Sequence, residues 1–178
     1  MSFITKEKSV ALYAALVSFG TYVFIFGFRK SFTVCTFEGM TFGPIAFKTA
    51  MVISQMLGYL MAKFYGIKFI SGLEKKNRYK IIFLLTGIAW AAWLLFAIVP
   101  APYSILFLFI NGFPLGMLWG VVFSYVEGRR STDFIGAALA VSFIFSAGWV
   151  KSVGAWLMLN FHITETWVPF CTGLVFAL

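Results

Sequence analysis

From Ile81 to Val126 the sequence runs for 46 residues without a single Lys, Arg, Asp or Glu. A soluble domain needs a charged exterior over whatever core it buries, and a stretch of this length would have to surface repeatedly. The rest of the chain offers no such exterior: 61% of its 178 residues are apolar, 11% carry charge, and 23 are phenylalanine. The solvent this composition suits is lipid.

A bilayer core of about 30 Å is crossed by about 20 apolar helical residues. On that ruler the chain divides into spans at residues 9–37, 44–73, 81–99, 104–126 and 134–159, with a last apolar segment at 167–178. That segment is too short to cross, so the expectation is the amino-terminal part of a longer protein, cut inside its sixth helix. The segments are apolar on all faces rather than alternating, which excludes transmembrane β-strands. The first apolar run is too long for a signal peptide, and no small-residue cleavage site follows it. The predicted class is an all-α polytopic membrane protein.

Loop charge gives an orientation. Lys6 and Lys8 precede the first span, Lys75, Lys76, Arg78 and Lys80 lie between the second and third, and Arg129 and Arg130 lie between the fourth and fifth. The opposite loops, "TFEGMTFG", "PAPYS" and "NFHITETW", have none. The positive-inside rule then puts the amino terminus in the cytoplasm, as expected for a multi-pass protein of the cell's inner membrane. It also accounts for most of the net charge of +8 without nucleic acid. Cys35, Cys171 and the lone His162 have no metal-like spacing, and no catalytic constellation is visible, so neither cofactor nor enzymatic activity is expected.

Six cations remain inside the spans: Arg29, Lys30, Lys48, Lys63, Lys68 and Lys151. Each needs a snorkelling path, a partner or a wet cavity, since burial at the bilayer centre costs about 2.5–3.5 kcal/mol on insertion scales. Lys48 and Lys68 lie near span ends and can snorkel. Lys63 sits near the middle of its helix, while Arg29 and Lys151 share a depth in the outer half of theirs. Glu38, Glu127, Asp133 and Glu165 all fall at helix ends, too shallow to neutralise them. Deep cations without deep carboxylates point to a cavity that a small anion visits.

The fourth span, "NGFPLGMLWGVVFSYVEGRR", places Gly112, Gly116 and Gly120 four residues apart, leaving a bare face for a neighbouring helix. Pro114 interrupts its hydrogen-bond ladder. Trp119 is a candidate cavity-lining ring. In the fifth, "FSAGWVKSVG" sets Ser146 and other small residues around Lys151.

The segments "FRKSFT", "GYLMAKF", "NGFPLGMLWG", "EGRR" and "KSVG" resemble the amino-terminal six-helix half of the major facilitator superfamily. They are nearest its organophosphate:phosphate antiporters and a bacterial family of facilitator-like membrane proteins. The resemblance implies that Arg29 binds substrate phosphate, that Lys63 and Trp119 share the site, and that Ser146 stands where the antiporters have a histidine. It also implies that the first, second, fourth and fifth helices line a central cavity. The chain departs from the superfamily at Ala62, which replaces the loop Asp.

The expected function is therefore secondary active transport of a small organic anion, held by Arg29, Lys63, Trp119, Lys151 and Ser146. The expected partners are the lipid bilayer and a second six-helix half of the same protein. The alternative is a non-transporting sensor or assembly subunit that keeps the fold.

Overall fold

The computed structural model describes residues 2–125 and 132–177. Arg129, Arg130 and Glu127 lie outside them. Within them the chain forms α1 (Ser2–Lys30), a 3-10 turn (Ser31–Val34), a short hairpin β1 (Thr41–Phe42) and β2 (Ile45–Ala46), and α2 (Phe47–Ser71). There follow α3 (Arg78–Ile98), α4 (Ile105–Phe123), α5 (Thr132–Phe161) and α6 (Val168–Ala177).

Among the described residues, four segments are long and apolar enough to cross a membrane: Ser9–Val34, Arg78–Ile98, Ile105–Phe123 and Asp133–Phe161. The outside of the bundle is oily, with Phe64, Phe83 and Ile144 each more than 70% exposed. That exterior suits lipid or another apolar surface. α2 has the length, at 25 residues, but not the apolarity. Lys48, Gln55 and Lys63 make it more polar than an expected full span, and all three are used inside the protein.

Boundaries shift where side chains intervene. The first span does not run helically to residue 37 but ends its α-helix at Lys30, and the second begins only after the hairpin. Phe37, Gly39 and the hairpin tip at Gly43 take positive φ, as does His162 just past the end of α5. Pro114 lies buried within α4, which continues past it to Phe123.

α4 is the most buried span and packs between α2 and α3, while α1 packs along α5 and α6 closes the side formed by α1, α3 and α5. In lipid no hydrophobic force drives helices together, so close approach of small residues does much of the holding. A methyl group on Gly112 would run into the Gln55 carbonyl oxygen, and one on Gly58 into that of Phe109. At Gly116 it would meet the Ala62 methyl at 2.7 Å and the Tyr59 carbonyl at 2.8 Å. Gly120 faces the tip of Ile70. On the other side, Phe143 of α5 sets its ring edge-on to Tyr22 and Phe26 of α1, at 4.6 and 6.1 Å between centroids.

Candidate functional site

The end of α1 organises the middle of the bundle. Breaking an α-helix leaves its last carbonyls without amide partners, and in a dry interior each must find another donor. Here the donors are side chains, from other helices for Phe28 and Arg29 and from the following turn for Lys30. The Phe28 carbonyl accepts from Trp93 Nε1 at 2.5 Å and from Asn111 Nδ2 at 3.4 Å. The Arg29 carbonyl accepts from Gln55 Nε2 at 2.8 Å, and Lys30 from Thr33 Oγ1 at 2.6 Å. Gln55 also donates to Asn111 Oδ1 at 2.8 Å, and Asn111 to the Ala89 carbonyl at 2.9 Å. Four helices are thus tied at one level.

Lys48 belongs to the same arrangement. Its ammonium donates to the carbonyls of Thr33 and Cys35 at 3.1 and 2.5 Å, capping the 3-10 turn instead of reaching for the interface. Lys68 is exposed, consistent with a snorkelling cation.

With its backbone pinned, Arg29 lays its guanidinium over the Tyr59 ring, 4.2 Å from the centroid. The buried phenol of Tyr22 lies beside the same guanidinium, and the Arg29 Nε is shielded from solvent without an acceptor. Lys63 approaches Tyr59 as well, its ammonium 4.9 Å from the ring centre and 4.5 Å from the Trp119 ring. Trp119 in turn stacks on Phe123 at 5.1 Å. The two distances to Tyr59 bound the separation of the cations at about 9 Å, where like charges repel by roughly 0.5 kcal/mol in water and about 2 kcal/mol at an effective dielectric of about 20.

Each cation–ring contact returns about 0.5–2 kcal/mol, so the aromatics support the charges without neutralising them. No described carboxylate does that either: Glu165 is bound elsewhere, Glu74 pairs with Lys76 at 3.2 Å, and Glu38 and Asp133 are exposed. An anion bound beside Arg29 and Lys63 would relieve their repulsion and accept charge-assisted hydrogen bonds from them.

The structure brings Arg29, Lys63 and Trp119 together and leaves Ser146 and Lys151 apart from them. Ser146 is fully buried in the α1–α5 contact and donates its hydroxyl to the Ser142 carbonyl. Lys151 is exposed on α5 with no hydrogen bond, ion pair or ring contact among the described residues. Lys30 packs over the Phe32 ring at 5.7 Å, on its own turn. Sequence reasoning missed Tyr59, Gln55, Asn111, Tyr22 and Trp93. The first two had a readable signal: Gln55, Tyr59 and Lys63 recur every four residues, so they stand on one face of α2.

The six helices, the four apolar spans and the lipid-suited exterior define an all-α membrane protein. Within that class the chain belongs to a family of unknown function, DUF5690, which matches residues 31–178 and so includes Lys63 and Trp119 while starting just after Arg29. No curated protein and no solved structure matches it.

Proposed function

We propose that the protein is a secondary transporter of the major facilitator type, moving a small organic anion, such as an organophosphate, by alternating access. In this reading the described helices form the amino-terminal half, a second six-helix half closes the cavity, and substrate binds near the midplane. The inner membrane, with the amino terminus cytoplasmic, is the location that the loop charges favour.

One observation carries the reading: Arg29 and Lys63 share the Tyr59 ring with no described carboxylate to balance them. Substrate contacts fall to Arg29, whose planar fork suits phosphate or carboxylate, to Lys63 as a point charge, and to Trp119 as an apolar wall. Ser146 drops out because its hydroxyl is already committed. Lys151 is a free outer cation rather than a member of this group.

The test is uptake by full-length protein in liposomes against a panel of organic phosphates and carboxylates. Arg29→Gln and Lys63→Gln should each lose most of the uptake at equal incorporation, while Lys151→Gln should keep it. Wild-type rates in both of the first two variants would remove the site.

A further inference from the structure

A second basic recess lies where α2 ends and α3 begins. Its walls come from the last turns of α2, the first residue of α3 and the last turns of α4, around a cavity of about 470 Å³. That volume is in the range of small-ligand sites. Two cations line it, Lys63 and Arg78, and Arg29 is not among its lining residues. Trp119, Phe123, Ile67 and Ile70 supply apolar wall, and no carboxylate is among the described lining residues.

Arg78 is held in place on one edge only. Its Nη1 donates to the Ser124 carbonyl at 2.6 Å, at the end of α4, and its guanidinium lies 5.6 Å from the Tyr125 ring. Its Nε is shielded from solvent and has no acceptor. Capping α4 explains the first contact but not the bare Nε, nor why a second cation opens into the same space. The Ser71 and Ser124 hydroxyls are already donated to the Lys68 and Val121 carbonyls, at 2.9 and 2.7 Å, so they compete for no ligand. Glu74, four residues before Arg78, is taken up by Lys76 and Asn77.

We infer that this recess is a separate anion site, in which Arg78 and Lys63 hold a phosphate group whose apolar body lies against Trp119 and Phe123. Arginine fits it because a half-buried, partly used guanidinium presents directed donors to phosphate oxygens. The phosphate can belong to an anionic phospholipid headgroup or to a soluble organic phosphate. The site goes beyond transport, since it requires no substrate movement; it shares Lys63 and Trp119 with the Arg29 side and adds Arg78, which that side does not touch.

Binding to the full-length protein in a neutral detergent tests it, with phosphatidylglycerol against phosphatidylcholine in native mass spectrometry and glycerol phosphate in calorimetry. Wild type should bind at least one anionic probe. Arg78→Gln and Lys63→Met should each weaken that binding by about tenfold, whereas Lys68→Gln, an equal loss of charge outside the cavity, should leave it within about twofold. Binding of the lipid alone assigns the phosphate to a headgroup, and binding of glycerol phosphate assigns it to a soluble ester. Because Arg78 also caps α4, thermal melting accompanies each variant; if Arg78→Gln unfolds, Lys63→Met carries the test beside Arg29→Gln, which removes the cation of the other site and should leave binding in this recess within about twofold. The inference is overturned if wild type binds neither probe, if both cavity variants bind normally, or if Lys68→Gln is equally impaired.

Discussion

The carbonyl of Arg29 and the amide nitrogen of Gln55 are 2.8 Å apart, so the residue that presents its guanidinium to Tyr59 has its backbone fastened to α2. Gln55 is 2% exposed and spends the same amide nitrogen on Asn111. Gln55→Leu would therefore strand two buried acceptors, at about 1–3 kcal/mol for such a group. The expected result is a lower melting temperature in detergent together with a weaker apparent affinity for the anion proposed as substrate. Asn111→Leu, which breaks three contacts at the same level, should be at least as destabilising.

Tyr59 offers its ring to both Arg29 and Lys63. Tyr59→Phe keeps the π-face and should melt within about 0.5 kcal/mol of wild type, because the cation contacts use the ring rather than the hydroxyl. Tyr59→Leu removes both contacts and should cost about 1–3 kcal/mol. An added organic anion should stabilise the leucine variant more than wild type, if relief of charge repulsion is what the ligand supplies. Equal stabilisation of the two would argue against that account.

Much of this arrangement is legible in the amino-acid sequence. The uncharged run from Ile81 to Val126 requires lipid-suited helices, and the spacing of Gly112, Gly116 and Gly120 requires a close helix neighbour, though not which one. Depth along the helices puts Arg29 level with Lys151 and Lys63 nearer the middle, and the resemblance groups Arg29 with Lys63 without naming the ring that both touch. What stays hidden depends on backbone interruptions. The early end of α1 at Lys30 leaves carbonyls bare, and only their positions explain why Gln55, Asn111, Trp93 and Lys48 sit where they do. An apolarity ruler has no means to see this, since the 3-10 turn is as apolar as the helix before it. Lys151 does not join the group for a related reason: equal depth fixes height in the bilayer but not the face of the helix.

Two glycine substitutions should move stability in opposite directions. Gly112→Ala drives a methyl group toward the Gln55 backbone, which cannot yield as a flexible side chain would. It should cost about 1–3 kcal/mol, with α2 and α4 forced apart. Gly87 in α3 is exposed, and a methyl group added there would have nothing within 4 Å. Gly87→Ala should stabilise by about 0.5–1 kcal/mol, through reduced backbone freedom in the unfolded chain. Thermal melts of both variants in the same detergent check the contrast, and similar losses in both would mean that close packing of α2 on α4 is not what holds them.

Glu165, between α5 and α6, clasps the chain just beyond the 3-10 turn. Its Oε1 accepts from the Thr36 amide at 2.8 Å and the Thr36 hydroxyl at 2.9 Å, and its Oε2 from the Phe37 amide at 2.6 Å. Successive amides aimed at one carboxylate form an anion-binding nest, and they help keep bulky Phe37 at its positive φ of 53°. Partial burial pushes the carboxyl pKa up, but the Thr36 and Phe37 hydrogen bonds and the nearby Lys48 charge outweigh it and hold it below the usual carboxylate range. A depressed folded pKa gives stability that is present above the unfolded value of about 4.3 and is lost as pH falls through the folded value. Wild-type melting temperature should therefore fall on the acid side of about pH 4.3. Glu165→Gln, whose amide nitrogen cannot accept, should melt lower at neutral pH and decline less in acid, so that the two curves converge. Other carboxylates titrate in both proteins and cancel in the difference. Parallel curves across the acid range would show that the clasp contributes nothing to stability.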